Sequence, residues 1–213
     1  MQFTWLKQQG EQDLVLFVLG WAASPNAVCH IDPPGCDVLA VHDYTSLRPL
    51  RAADYASYRR IYLFAWSFGV WVAEQYCREL PLYKAIALNG TPFPVDERYG
   101  MRLRVVLRTM QQQARTGKQP APAEAARAIP SGPYPERSID SKVDELTRLA
   151  TLSREHSSAH LVWHAAYIAD KDEIFPPEKM WAYWQSVGLG TGFESYHYPF
   201  ADPALVLNAL EPA

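Results

Sequence analysis

The sequence predicts an α/β fold: a mostly parallel, open sheet with helices on both faces. Three observations carry this. Short, continuously apolar runs recur along the chain, helix-length segments separate them, and 48% of the 213 residues are hydrophobic. Unbroken apolar runs, as opposed to alternating ones, mark strands covered on both faces, and parallel strands need crossover segments between them.

The elements follow in order. Strands are expected at residues 14–19 (LVLFVL), 37–41 (DVLAV), 61–65 (IYLFA) and 83–88 (YKAIAL), each closed by a polar or glycine signal. A fifth run is 161–168 (LVWHAAYI), and a weaker sixth is 193–198 (FESYHY). Helices are expected at 69–80, directly after the third strand, and at 141–156, where acids come early and arginine late. A further helix over 177–187 opens on proline, and a short one closes the chain.

Residues 91–140 break this rhythm. They contain seven prolines and no convincing strand, with one helix expected at 101–113 (MRLRVVLRTMQQQ). Fifty residues without a strand, in a small compact domain, mark an insertion, so the chain reads as one domain carrying a helical lid insertion. The insertion is basic. From residue 98 to residue 127, Arg98, Arg102, Arg104, Arg108, Arg115, Lys118 and Arg127 stand against one acid, Glu124, an excess of six positive charges in a chain of net charge −3. Such a stretch is either a solvated helix or a dock for an acidic partner.

Bulk charge gives no case for nucleic acid binding, and no apolar run approaches the ~20 residues of a membrane span. The N-terminus lacks the basic-then-apolar pattern of a signal peptide, and three cysteines are too few for a disulfide framework. A reducing cytoplasm is the expectation. Cys29, His30, Cys36 and His42 match no common zinc spacing, and there is neither a dinucleotide fingerprint nor a Walker lysine, so no metal or cofactor is expected.

The third strand runs into Ala65-Trp66-Ser67-Phe68-Gly69 and then a helix. A serine on a sharp strand-to-helix turn, with small residues two positions away on either side, is a nucleophile elbow. The bland alternative is a serine that only caps the helix. A hydroxyl needs a base to become nucleophilic, and the base needs an orienting acid. In this arrangement both follow the serine in the chain, acid before histidine. Of His156, His160, His164 and His197, only His197 falls on a loop beyond a strand. His164 sits inside an apolar run and reads as core. For the acid, Asp172 is chosen over Asp170 because Asp172-x-Ile-x-Pro turns the chain into the next helix. Two N–H donors for a developing oxyanion would come from Phe68 and, after the first strand, from Trp21 behind Gly20.

Several stretches together resemble a known family. FVLGWAASPNAV, VHDYTSL, FAWSFGVWVAEQ, ALNGTPFPVD, DEIFPP with the later AYW, and YHYPF are similar to the BioG-type pimeloyl-ACP methyl ester esterases, small α/β hydrolases of biotin synthesis. The likeness spans nearly the whole chain, and AWSFGVWVAE followed by NGT is its most specific part. It departs from ordinary α/β hydrolases at Leu19-Gly20, where His-Gly is usual, and at Ala65, where glycine is usual. The resemblance implies an α/β-hydrolase fold and hydrolysis of a carrier-bound methyl ester by Ser67, His197 and Asp172. It also implies Trp21 and Phe68 as oxyanion donors, no cofactor, and acyl carrier protein as the partner. The basic stretch falls where that family's lid should lie. Other serine hydrolases of esters or thioesters share this site pattern, and a non-catalytic hydrolase-like binding protein is the reading from a different class.

Overall fold

The expected apolar runs do become adjacent strands. In the computed structural model, which describes residues 1–116 and 132–211, they form the centre of a seven-stranded sheet. The strands are β1 (Gln2–Lys7), β2 (Asp13–Val18), β3 (Cys36–His42), β4 (Arg60–Trp66), β5 (Leu82–Leu88), β6 (Ala165–Ala169) and β7 (Thr191–Phe193). Their spatial order is β1-β3-β2-β4-β5-β6-β7. All pairs are parallel except β1 with β3. This is the α/β-hydrolase fold.

Register explains the core. Leu16 stands level with Leu39 on one side and Leu63 on the other, so the runs meet as apolar layers. Successive side chains then alternate between faces. Leu14, Leu16 and Val18 join one core and Val15, Phe17 and Leu19 the other. The first face is covered by α1 (Phe68–Tyr76), α3 (Ile139–Glu155) and α4 (Pro177–Ser186), which bring Trp71, Leu149 and Trp184 onto it. The second is covered more thinly, by the loop around Ala27, Val28 and Ile31 and by the short α5 (Ala204–Leu207) with Val206. Helices do lie on both faces, but unequally, because the β2–β3 and β3–β4 connections carry only single 3₁₀ turns, at Pro25–Ala27 and Ala52–Tyr55.

Three expectations need correction. The edge strand β1 was not foreseen: its residues are only half-buried, and pairing with β3 is what makes it a strand. The run 161–168 enters the sheet only at Ala165, because the buried carboxylate of Glu74 on α1 captures the preceding loop. It accepts from the His160 and Leu161 N–H groups and from the Trp163 indole. His164 is therefore not core. It is exposed before β6, and its Nδ1 accepts from the Ala85 N–H at 3.1 Å. The sixth run also shifts: β7 ends at Phe193, level with the last residue of β6, since an edge strand cannot outrun its partner.

Within residues 91–140 the structure describes α2 (Leu103–Thr116), which packs on α3. Arg98, Arg102, Arg104, Arg108 and Arg115 are exposed, while Lys118 and Arg127 lie outside the described residues. Among the described residues, no helix is long and apolar enough to cross a membrane.

Candidate active site

The carboxyl ends of the parallel strands share one rim, the usual place for ligands in open α/β sheets. Ser67 sits there between β4 and α1 with φ 58° and ψ −126°. That conformation costs an L-residue about 1–3 kcal/mol and persists only where the surroundings impose it. They do so by crowding. A Cβ on Gly69 would meet Val18 O at 2.1 Å, and one on Gly90 would meet Ser67 O at 2.4 Å. The smallness of position 69 thus answers to the end of β2, not to its own strand. Ser67 stands at the N-cap of α1, yet its side chain makes no capping bond.

The Ser67 Oγ instead lies 3.0 Å from His197 Nε2, and His197 Nδ1 lies 2.7 Å from Asp172 Oδ2. All three residues are buried. Asp172 is itself fixed, since its Oδ1 accepts from the Ile174 and Phe175 N–H groups at 2.9 and 2.8 Å. Asp170 is exposed and accepts from Ser195 N–H, away from the histidine. The chain thus places three side chains, separated by as many as 130 residues, in one hydrogen-bonded line.

The loop after β2 closes the other side. A Cβ on Gly20 would lie 3.1 Å from Ser67 Cβ, so the backbone of this loop abuts the serine. Neither the Trp21 nor the Phe68 N–H has a protein acceptor among the described residues.

Sequence reasoning missed the residue that holds the histidine loop. Asn89, fully buried after β5 with φ 48°, donates to the carbonyls of His197 (2.9 Å) and Tyr196 (3.2 Å) and accepts from Ala169 N–H (2.8 Å). The Trp66 indole also donates to the His197 carbonyl, at 2.8 Å. The available signal was an Asn-Gly pair closing an apolar run, which reads as an ordinary turn.

The basic residues divide. Arg102 pairs with Glu97 at 3.5 Å and Arg98 stacks over the Tyr99 ring, so both are tied to the loop before α2. Arg104, Arg108 and Arg115 lie within about 40° of one another around α2 at 100° per residue. They make no ion pair among the described residues, and the exposed Val105 and Leu107 flank them. No group of three or more His, Cys, Asp or Glu is placed to hold a metal among the described residues.

The site is thus a strained serine hydrogen-bonded to a histidine that a carboxylate holds, and comparison with known proteins narrows the kind. The family model for pimeloyl-ACP methyl esterase BioG matches residues 1–204. The chain belongs to the BioG family. A Haemophilus influenzae protein described only as uncharacterized is 32% identical over 204 residues, 91% of each chain. The crystal structure of BioG from Haemophilus influenzae superposes with a TM-score of 0.79 at 28% identity, covering 94% of this chain and 95% of that one. A malonyl-[acyl-carrier protein] O-methyltransferase from Bacteroides fragilis is 31% identical over 184 residues, which are 82% of this chain but 37% of that protein. A carboxylesterase from the thaumarchaeon Nitrososphaera gargenis shares the fold, with a TM-score of 0.60 at 13% identity over 98% of this chain and 93% of that one.

Proposed function

We propose that this chain is a serine esterase that removes the methyl group from the methyl ester of pimeloyl-[acyl-carrier protein]. One observation carries the reading: in a member of the BioG family, the Ser67 hydroxyl lies 3.0 Å from a histidine that a buried carboxylate orients. His197 takes the hydroxyl proton as Ser67 Oγ attacks the ester carbonyl. The N–H groups of Trp21 and Phe68 receive the oxyanion. Methanol leaves with the proton from His197. Water, deprotonated by the same imidazole, then hydrolyses the acyl-enzyme and frees the carboxylate and Ser67. Asp172 stabilises the imidazolium in both halves. The chemistry calls on no metal or organic cofactor.

The partner follows from charge. Acyl carrier proteins are acidic, and the Arg104, Arg108 and Arg115 stripe on α2 offers them a basic face, with Val105 and Leu107 as apolar contacts. The likeness over 184 residues to a protein described as a malonyl-[acyl-carrier protein] O-methyltransferase, itself named for a carrier-bound substrate, supports this. A cytoplasmic setting suits those partners. The test is incubation with methyl-pimeloyl carrier protein, following its gel mobility. Conversion to the free acid by the wild type and none by Ser67→Ala is the expected result. Turnover surviving in Ser67→Ala would end the assignment.

A further inference from the structure

The turn that carries the Trp21 N–H is not self-supporting. Gly20 O accepts from Ala23 N–H at 3.3 Å, closing a tight turn with Trp21 and Ala22 at its centre. Ala22 has φ 61°, a left-handed conformation that favours glycine and costs alanine free energy. Something must hold that turn in place.

The support comes from α3, a helix far away in the chain. Glu145 is fully buried on it, and its Oε2 accepts the Ala22 N–H at 3.0 Å. Its other oxygen accepts the Tyr44 N–H from the loop after β3, at 2.8 Å. Arg137 neutralises the carboxylate at 2.6 Å and also reaches Asp43 at 3.0 Å. One turn earlier on the helix, Lys142 O accepts the Trp21 indole N–H at 2.7 Å. The helix therefore pins both the Trp21 side chain and the peptide that follows it. Of the N–H groups of Trp21, Ala22 and Ala23, each has a protein acceptor among the described residues except the Trp21 backbone N–H, which follows the Gly20 that abuts Ser67.

We infer that Glu145 is a positioning residue: by capturing the Ala22 N–H it holds the Trp21–Ala22 peptide in the orientation that leaves the Trp21 N–H aimed at the oxyanion. This rests on the reading of Ser67 as nucleophile. Without the carboxylate, the turn loses the bond that compensates its left-handed alanine. The neighbouring peptide can then rotate, and one of two oxyanion donors is misplaced. The effect belongs to the transition state, because the oxyanion exists only there.

The experiment uses the whole chain and a small water-soluble methyl ester, so that carrier docking plays no part. Glu145→Gln keeps the shape but replaces one acceptor oxygen with a donor. Glu145→Asp keeps the charge opposite Arg137 and shortens the reach, so the test stands if the Gln variant does not fold. In whichever variant melts cooperatively, kcat is expected to fall about 10- to 100-fold with KM within twofold. Binding of an alkyl trifluoromethyl ketone, which forms an oxyanion adduct on the serine, should weaken in parallel. A folded variant that keeps kcat within twofold overturns the inference, and so does a loss of kcat with no loss of ketone affinity.

The wild type supplies a second reading through amide proton shifts on adduct formation. The Trp21 amide proton is expected to move strongly downfield and the Ala22 proton, already bonded, to stay. The reverse pattern overturns the inference. If the wild type forms no adduct and hydrolyses no ester, it is the enzyme reading that has failed.

Discussion

The strand-end rim and the basic face of α2 are built on opposite principles. Around Ser67 the histidine and its carboxylate are each held several times over. His197 contacts serine and carboxylate with its ring, and its carbonyl accepts from Asn89 and Trp66. Along α2 the arginines stand in solvent, and α2 meets the rest of the chain chiefly through α3. Bond making needs fixed geometry to within a fraction of an ångström, whereas attraction of a charged partner needs only charge of the right sign in roughly the right place. Between them lies a seam, where Arg137, just before α3, joins Asp43 and Glu145.

The largest effect expected on the rim is from Ser67→Ala, which should cut turnover at least about 10,000-fold while leaving the melting temperature within a few degrees. Steady-state kinetics beside a thermal melt checks both. If the loss is under about 100-fold, the rim is not the machinery it resembles.

Acid should stress the seam next. Burial lowers the His42 imidazole to about 4, with Asp43 opposing and Arg137 reinforcing the shift. The folded state thus refuses a proton that the unfolded chain accepts below pH 6.5. Stability contributed by the neutral ring is present at neutral pH, declines as pH falls from 6.5 towards 4, and levels off below. The full span is about 3 kcal/mol. Urea unfolding at several pH values should show a shallower decline in His42→Asn than in wild type. Equal slopes would mean the ring titrates freely.

Asn89→Ala tests whether the redundancy at His197 is shared evenly. It strands the Ala169 N–H, for a loss of about 1–3 kcal/mol in unfolding free energy. A roughly tenfold lower kcat at unchanged KM is expected, because the loop is still held through Trp66. A fall in stability without any change in kcat would assign Asn89 to the scaffold alone.

The smallest effect sharpens the other half. Reversing Arg104, Arg108 and Arg115 to glutamate should raise KM for a carrier-bound ester about tenfold and leave a small free ester untouched. Added salt should weaken the wild type in the same way. Equal losses on both substrates would mean α2 serves the fold and not a partner.

Much of this architecture was legible because it is local. The four central strands are short, mostly apolar runs, and the elbow is a strand, a serine and a helix in immediate succession. Asp172 was separable from Asp170 by its following Ile-x-Pro. What stayed hidden is buried polarity. In Ile139–Glu155, Glu145 lies on the same helical face as Leu149 and Leu152, and an acid on an apolar stripe was the available hint. By itself it reads as one more solvated charge.

The sequence alone determined the four central strands, the elbow and the order of serine, acid and histidine, because spacing and apolar continuity are properties of neighbouring residues. Tertiary structure alone decided that Gln2–Lys7 is a strand, that His164 faces solvent, and that Asn89 and Glu145 hold the loops around Ser67. The reason is physical. A half-buried edge has no signal until its partner arrives, and a polar side chain becomes structural only when distant backbone N–H and C=O groups, cut off from water, have no other partner.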